Sequence, residues 1–206
     1  MAHKGLWEQL NKLDRQRTAQ RAKCQYLTDP QRYIITLLNT EYVVKPAESQ
    51  IFSTGTGGSR TAPTSSPTPA EFLEQLCLLA YLINAQDIPP ANKFVGPENL
   101  PSGQFYFRGP HSLPTERLEE TFGKWPERLY EVSERFGAKR CEFGDASIEL
   151  SALPRVRLKI VIWRSDEEFG ARASILFDQT AGIHLPLDAL GALVNLTVKA
   201  LVKAAE

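Results

Sequence analysis

The sequence predicts an α+β protein, a mainly antiparallel sheet covered by helices, the last of them an amphipathic helix that closes the chain. Val156, Leu158, Ile160 and Ile162 alternate with Arg155, Arg157, Lys159, Val161 and Trp163, and Ala171, Ala173, Ile175 and Phe177 repeat that alternation. This is the period of a strand with one buried face. Arg164 to Gly170 is too short for a parallel crossover, which takes a dozen residues or more, so the two strands form an antiparallel hairpin. Leu190, Val194, Val198 and Leu201 then share one helical face. Pro186, Asp188, Lys199 and Lys203 suit the two ends of that helix.

Taken in order, residues 3–23 read as a helix with Leu6, Leu10 and Leu13, and Trp7 beside them, on one face. Arg15, Arg17, Arg21 and Lys23 make its second half basic. From Gln31 to Phe52, β-branched and aromatic residues alternate with the turn residues Asn39-Thr40 and Pro46 to Ser49, predicting two or three short antiparallel strands. Residues 53–69 are rich in Gly, Ser, Thr and Pro and too poor in apolar side chains to offset the entropy of ordering them, which predicts a flexible loop. Gly55 to Thr61 within it lacks the Gly-Lys-Ser/Thr ending of a phosphate loop.

Thr68-Pro69-Ala70-Glu71 predicts a capped helix start, with the threonine as cap, and the helix runs to about Gln86. Its stripe is Phe72, Leu76, Leu79, Ala80 and Ile83, widened by Leu73 and Leu82. Prolines exclude a long helix between Asp87 and Pro110. There, Phe105-Tyr106-Phe107-Arg108 reads as a short strand or as a pocket wall, since rings beside an arginine suit a planar or anionic ligand. Helices over 113–122 and 126–136 each stop at a glycine, Gly123 and Gly137, in the usual left-handed conformation. A short strand over 147–150 leads into the hairpin. One domain over residues 1–206 is the expectation.

Composition narrows the function. Lysine plus arginine and aspartate plus glutamate number 24 each, so no net field favours a nucleic acid or an anionic membrane. No apolar run approaches the roughly 20 residues that span a bilayer. The first twenty residues are charged rather than signal-like, so a cytoplasmic location is expected. Cys24, Cys77 and Cys141 have neither the number nor the spacing of a disulfide framework or a zinc knuckle. Reduced thiols are expected, with Cys77 as a small core residue.

His184 lies between a strand and a helix, a junction that often places side chains at a cleft. A neutral imidazole there can ligate a metal or hold the loop by a hydrogen bond, and Asp178 can orient the ring or cap a turn. Ser174, His184 and Asp178 provide the residue types of a hydrolytic triad, but Gly-x-Ser-x-Gly is absent and the serine is in mid-strand. His111 reads as a surface loop residue, and Asp166, Glu167 and Glu168 as solvated charge in the hairpin turn.

Leu153-Pro154-Arg155-Val156, Trp163-Arg164-Ser165-Asp166-Glu167-Glu168-Phe169, Leu176-Phe177-Asp178 and His184-Leu185-Pro186 resemble an uncharacterised prokaryotic family, domain of unknown function 3786. Leu100 to Phe107 and Leu76 to Leu82 are similar to its pattern too, from about Pro69 onward. The resemblance implies a setting in anaerobic metabolism, since the family is found mainly in anaerobes. Some members carry an iron-sulfur segment of the corrinoid-protein kind; this chain has no clustered cysteines, so no cluster of its own is expected. By implication the ligand is a tetrapyrrole, a corrinoid such as cobalamin or, second, haem. His184 would be its axial metal ligand, Phe105, Tyr106, Phe107 and Trp163 its packing, and Arg108 or Arg155 the partner of its edge. The expectation is therefore a non-enzymatic cofactor-binding or accessory protein. The alternatives are an interaction module for a redox or methyl-transfer protein and, last, a hydrolase using Asp178 and His184.

Overall fold

Asp14 divides the N-terminal segment into two helices, α1 (Lys4–Asn11) and α2 (Arg15–Ala22), in a computed structural model that describes residues 3–56 and 67–206. Its backbone is extended and its carboxylate accepts the Arg17 N–H at 2.7 Å, so it caps a new helix where continuous helix was expected.

Five strands follow: β1 (Gln25–Thr28), β2 (Gln31–Leu37), β3 (Thr40–Lys45), β4 (Gln50–Thr56) and β5 (Thr68–Pro69). They form an antiparallel sheet in chain order. Tyr33, Ile35 and Leu37 of β2 and Tyr42 and Val44 of β3 face the core on every second position. The expected two or three strands are the middle of this sheet. Its outer strands are too short or too polar to carry a period. Of the predicted loop 53–69, β4 takes the start and β5 the end, while residues 57–66 lie outside the described residues.

Thr68 and Pro69 pair with Ser53 and Phe52, so the cap of α3 (Phe72–Asn84) passes to Glu71. Glu71 closes a reciprocal capping box with Glu74. Phe72 turns outward and meets the His3 ring at 4.2 Å instead of joining the buried stripe, whereas Cys77, Leu78, Leu79, Tyr81 and Leu82 are enclosed.

Beyond α3 come β6 (Phe94–Val95), α4 (Gly103–Tyr106), α5 (Thr115–Phe122), α6 (Arg128–Ser133), β7 (Lys139–Cys141), β8 (Ala146–Leu153), β9 (Val156–Trp163), β10 (Arg172–Asp178), α7 (Ala181–His184) and α8 (Leu187–Ala205). Of the aromatic segment read as a short strand or a pocket wall, Phe105 and Tyr106 close the short helix α4, while Phe107 and Arg108 lie beyond it. Gly137 stops its helical segment with φ 66°, as predicted, but Gly123 has φ −64°. A Cβ on Gly123 would lie 2.2 Å from the Ala171 Cβ, so that glycine permits close packing instead of a left-handed turn.

The second sheet is also antiparallel, in the order β6-β10-β9-β8-β7, with the predicted hairpin at its centre. Leu158, Ile160 and Ile162 face inward, and Leu190, Val194, Val198 and Leu201 of α8 are buried as their spacing predicted. The chain thus builds two sheets where one was expected, and α3 packs against α8. One continuous apolar cluster includes residues of both sheets and of both helices. No described helix is long and apolar enough to cross a membrane.

Leu158 is fully buried in the central strand. Leu158→Ala should lower unfolding stability by about 2–5 kcal/mol in urea titrations, and a loss under about 1 kcal/mol would contradict this core.

Candidate functional site

The end of β10, the 86–92 segment, α7 and the β8–β9 turn meet in a buried polar junction. Asp178 closes β10, and its carboxylate accepts the N–H groups of Ala91 (3.0 Å), Asn92 (2.7 Å) and Thr180 (3.0 Å) and the Thr180 hydroxyl (2.6 Å). Burial pushes this carboxyl up, but the hydrogen bonds from Thr180, Ala91 and Asn92 outweigh it and hold the group below its ordinary value. Asp178 therefore ties a proline-rich loop to the start of α7.

Arg155 does the same on a larger scale. Residues at a helix C-terminus have carbonyls without helical partners, and Arg155 meets those of α2. Its Nε donates to the Arg21 carbonyl at 2.6 Å and one guanidinium nitrogen to that of Gln20 at 3.4 Å. The guanidinium also donates to the Ile88 carbonyl at 3.1 Å and pairs with Asp87. The Tyr81 hydroxyl completes the cap by donating to the Ala22 carbonyl at 2.9 Å. Arg155, in the turn of the second sheet, thereby holds the helix that leads into the first.

His184 ends α7 and is fully buried. Its Nδ1 accepts the Gln86 N–H at 3.4 Å, so in the neutral ring the proton sits on Nε2, which is enclosed without a hydrogen-bond partner. Burial lowers its pKa, the Arg155 charge adds to the effect, and Asp178 opposes it. No hydrogen bond joins Asp178 to His184. The four bonds to the Asp178 carboxylate come from elsewhere, and Ser174 lies in mid-β10. A triad geometry is not formed.

The other predicted residues fall in separate places. Phe107 stacks on Phe177 at 5.7 Å and Tyr106 on His111 at 4.7 Å, with both first rings lying over Gly191 in α8. Phe105 and Arg108 are exposed. Trp163 alternates away from inward-facing Ile162 and lies on the opposite face of the second sheet, against Gly144. Arg155 is consumed by its carbonyl and carboxylate partners. Phe107 and Trp163 line different hollows, while the Tyr106–Phe107 segment and His184 flank the same α7–α8 corner.

Among the described residues, no group of three or more His, Cys, Asp or Glu is placed to hold a metal ion. The three cysteines are free thiols. Burial pushes Cys24 and Cys77 up to about 12, far from the thiolate form that nucleophilic chemistry needs.

Sequence reasoning missed the surface features. A cleft of about 190 Å³ lies between the first sheet and α8, spanned by a Lys199–Glu71 ion pair and by the Tyr42 hydroxyl on Glu74. More prominent is the far end of the second sheet, where Trp125, Phe143, Trp163 and Phe169 are all exposed. Trp163 and Phe169 line one hollow with Asp145, Arg164 and Arg172. Local bonds hold the neighbouring segments beside it: Ser165 N–H donates to the Gly123 carbonyl, Arg164 pairs with Glu127, and Arg164 N–H donates to Asp145. Asp166 caps the hairpin turn by accepting the Glu168 and Phe169 N–H groups, leaving Glu167 and Glu168 in solvent.

A family model described as a domain of unknown function, DUF3786, matches residues 14–200. No curated protein and no solved structure matches the chain.

The lowered pKa of His184 has a defined consequence. Below about 6.5, the ordinary histidine value, the unfolded chain takes up a proton that the folded ring resists until its lower pKa is reached. Stability should therefore fall as pH drops through and below about 6.5, and His184→Gln should remove that part of the slope in thermal unfolding between pH 7.5 and 5. An unchanged slope in the variant would contradict a buried neutral imidazole. The Asp178 contribution belongs to a separate window, present above the ordinary carboxylate value and lost as pH falls toward its lower folded one.

Proposed function

The chain belongs to the DUF3786 family of unknown function, and we propose that it acts as a non-catalytic accessory protein that docks a protein partner of redox or methyl-transfer metabolism. The observation that supports this most is at the end of the second sheet, where exposed Trp163 and Phe169 line one hollow and Trp125 and Phe143 are exposed on neighbouring segments. Apolar surface rimmed by charge is costly in a free monomer and characteristic of contact sites, and tryptophan is prominent among residues that dominate interface energy. The rim carries both signs, with Glu142, Glu167 and Glu168 in solvent beside Lys124 and Arg172, and the Lys159 ammonium over the Phe143 ring. The partner class follows from the iron-sulfur segment implied for some members by the family resemblance. Asp178 and Arg155, by contrast, spend their charges on structural hydrogen bonds and offer little to a substrate.

A tetrapyrrole-binding role is the second reading, and one observation favours it: the His184 Nε2 lacks a partner although it is enclosed. An axial metal bond would satisfy that nitrogen if its proton moved. The ring is fully buried, so the α7–α8 corner would have to open first.

Two measurements separate these readings. In surface binding assays against purified ferredoxin-type and corrinoid methyl-transfer proteins, wild type should bind a member of the panel. Trp163→Ala combined with Phe169→Ala should weaken it about tenfold or more, the cost of roughly 1.4 kcal/mol or more. Equal binding by both proteins would remove the docking surface. Mixed with hydroxocobalamin or haem, the protein should leave the visible spectrum of each unchanged. A shift abolished by His184→Ala would transfer the assignment to a tetrapyrrole.

A further inference from the structure

β10 is paired along its length on one side only. Its ladder with β9 runs from Arg172 opposite Trp163 to Phe177 opposite Leu158, while β6 covers just Phe177 and Asp178 on the other side. In an antiparallel strand, successive residues aim their N–H and C=O at alternate edges. Gln179 donates to the Lys93 carbonyl at 2.9 Å on the β6 side, so Phe177, Ile175 and Ala173 aim at that same edge. Continuing the register past Val95 would place Pro97 opposite Ile175, and proline has no N–H to give. β6 stops there and the chain turns into a single 3-10 turn, Pro97–Asn99. Ile175, only 3 % exposed, is left with an N–H and a C=O that have no strand partner on that side.

One position farther along the same edge, a side chain fills the gap. The Ala173 N–H donates to the Glu119 carboxylate at 3.0 Å, which takes the place of an incoming strand's carbonyl. Beside this edge runs a shallow groove of about 380 Å³, lined by Ala173 to Leu176, Pro97, Glu98, Phe107, Leu113 and Thr115.

Resting on the docking role above, we propose that this groove receives a short extended peptide segment of the partner, added to β10 as a continuation of β6. An extended backbone is the partner that offers a donor and an acceptor at the spacing of a strand edge, and peptide recognition by strand addition uses this match. Between the end of β6 and the Glu119 carboxylate, the edge leaves the Ile175 position, enough to anchor about two residues at roughly 3.3 Å each. An inward side chain of that segment meets Phe107 and Leu113 and so must be apolar. Glu98 and Glu119, toward opposite ends, favour lysine or arginine beside it. The ligand is therefore an apolar residue flanked by basic ones, held extended.

The test uses the full chain and fluorescently labelled decapeptides chosen from a displayed random library, read by anisotropy. The expected peptides carry an apolar residue flanked by basic ones. Their affinity should drop at least tenfold on Thr115→Arg, which fills the groove from the first turn of α5 while circular dichroism and melting confirm the fold. N-methylation of alternate peptide nitrogens should abolish binding in one register and spare it in the other. Trp163→Ala with Phe169→Ala should leave peptide binding unchanged. Failure to select any peptide, equal loss in both methylation registers, or indifference to Thr115→Arg would overturn the groove assignment. If the protein partner still binds through Trp163 and Phe169 in that event, the docking role stands and only the strand-addition site fails. Self-association of wild type that Thr115→Arg abolishes would instead give the edge to a second copy of the chain, which also overturns the proposal.

Discussion

Arg155 is the contact on which the arrangement of this molecule depends. Its guanidinium lies in the turn between two strands of the second sheet and reaches the Arg21 carbonyl, and more weakly that of Gln20, at the end of α2, the helix that leads into the first sheet. It also holds Asp87 and the Ile88 carbonyl in the segment that leaves α3. A buried guanidinium is tolerable only when its donors are satisfied, and here they join three parts of the chain that no local sequence signal connects. Asp178 repeats the device with opposite charge, gathering backbone N–H groups from the 91–92 segment and from Thr180. Arg155 ties the end of α2 to the second sheet, and Asp178 ties the 91–92 segment to the end of β10 within that sheet.

That use of charge bears on function. Groups held by four hydrogen bonds in a packed interior are poor candidates for proton transfer or substrate binding, because any change of state disrupts the fold that positions them. His184 sits in the same junction, neutral and enclosed. The surfaces left for recognition are the aromatic end of the second sheet and the β10 edge, which share the start of β10 at Arg172. They differ in kind, the first offering side chains and the second backbone groups.

Much of the central architecture was legible in the residues. The β9–β10 hairpin and α8 are long, regular and half-buried, so period alone identified them. Gly137 also stops its helix as glycine usually does. What was not legible depended on partners distant in sequence. β5 and β6 are two residues each and exist only because β4 and β10 present edges to them. The first sheet was foreshadowed by its β2 to β4 strands, but its separation from the second depends on how α3 and α8 pack. Asp14 carried a readable cap signal inside what looked like one helix. The Phe105 to Arg108 segment has a strand's composition, yet its first half ends a helical turn, and only the Tyr106 and Phe107 rings meet α8. In the candidate site, His184 and Asp178 lie between β10 and α8, and their burial was not apparent, because an enclosed histidine and a cleft histidine look alike in sequence. Phe143 and Phe169 were equally silent, since nothing local distinguishes an exposed phenylalanine from a core one.

Amide hydrogen exchange on Arg155→Met, compared with wild type under native conditions, tests the central claim most directly. If Arg155 fixes the junction of the two sheets, protection should fall together in β2 and β3 of the first sheet and in β8 to β10 of the second. Loss confined to α2 and the 87–92 segment, with both sheets unchanged, would show that Arg155 only caps a helix and would contradict the account.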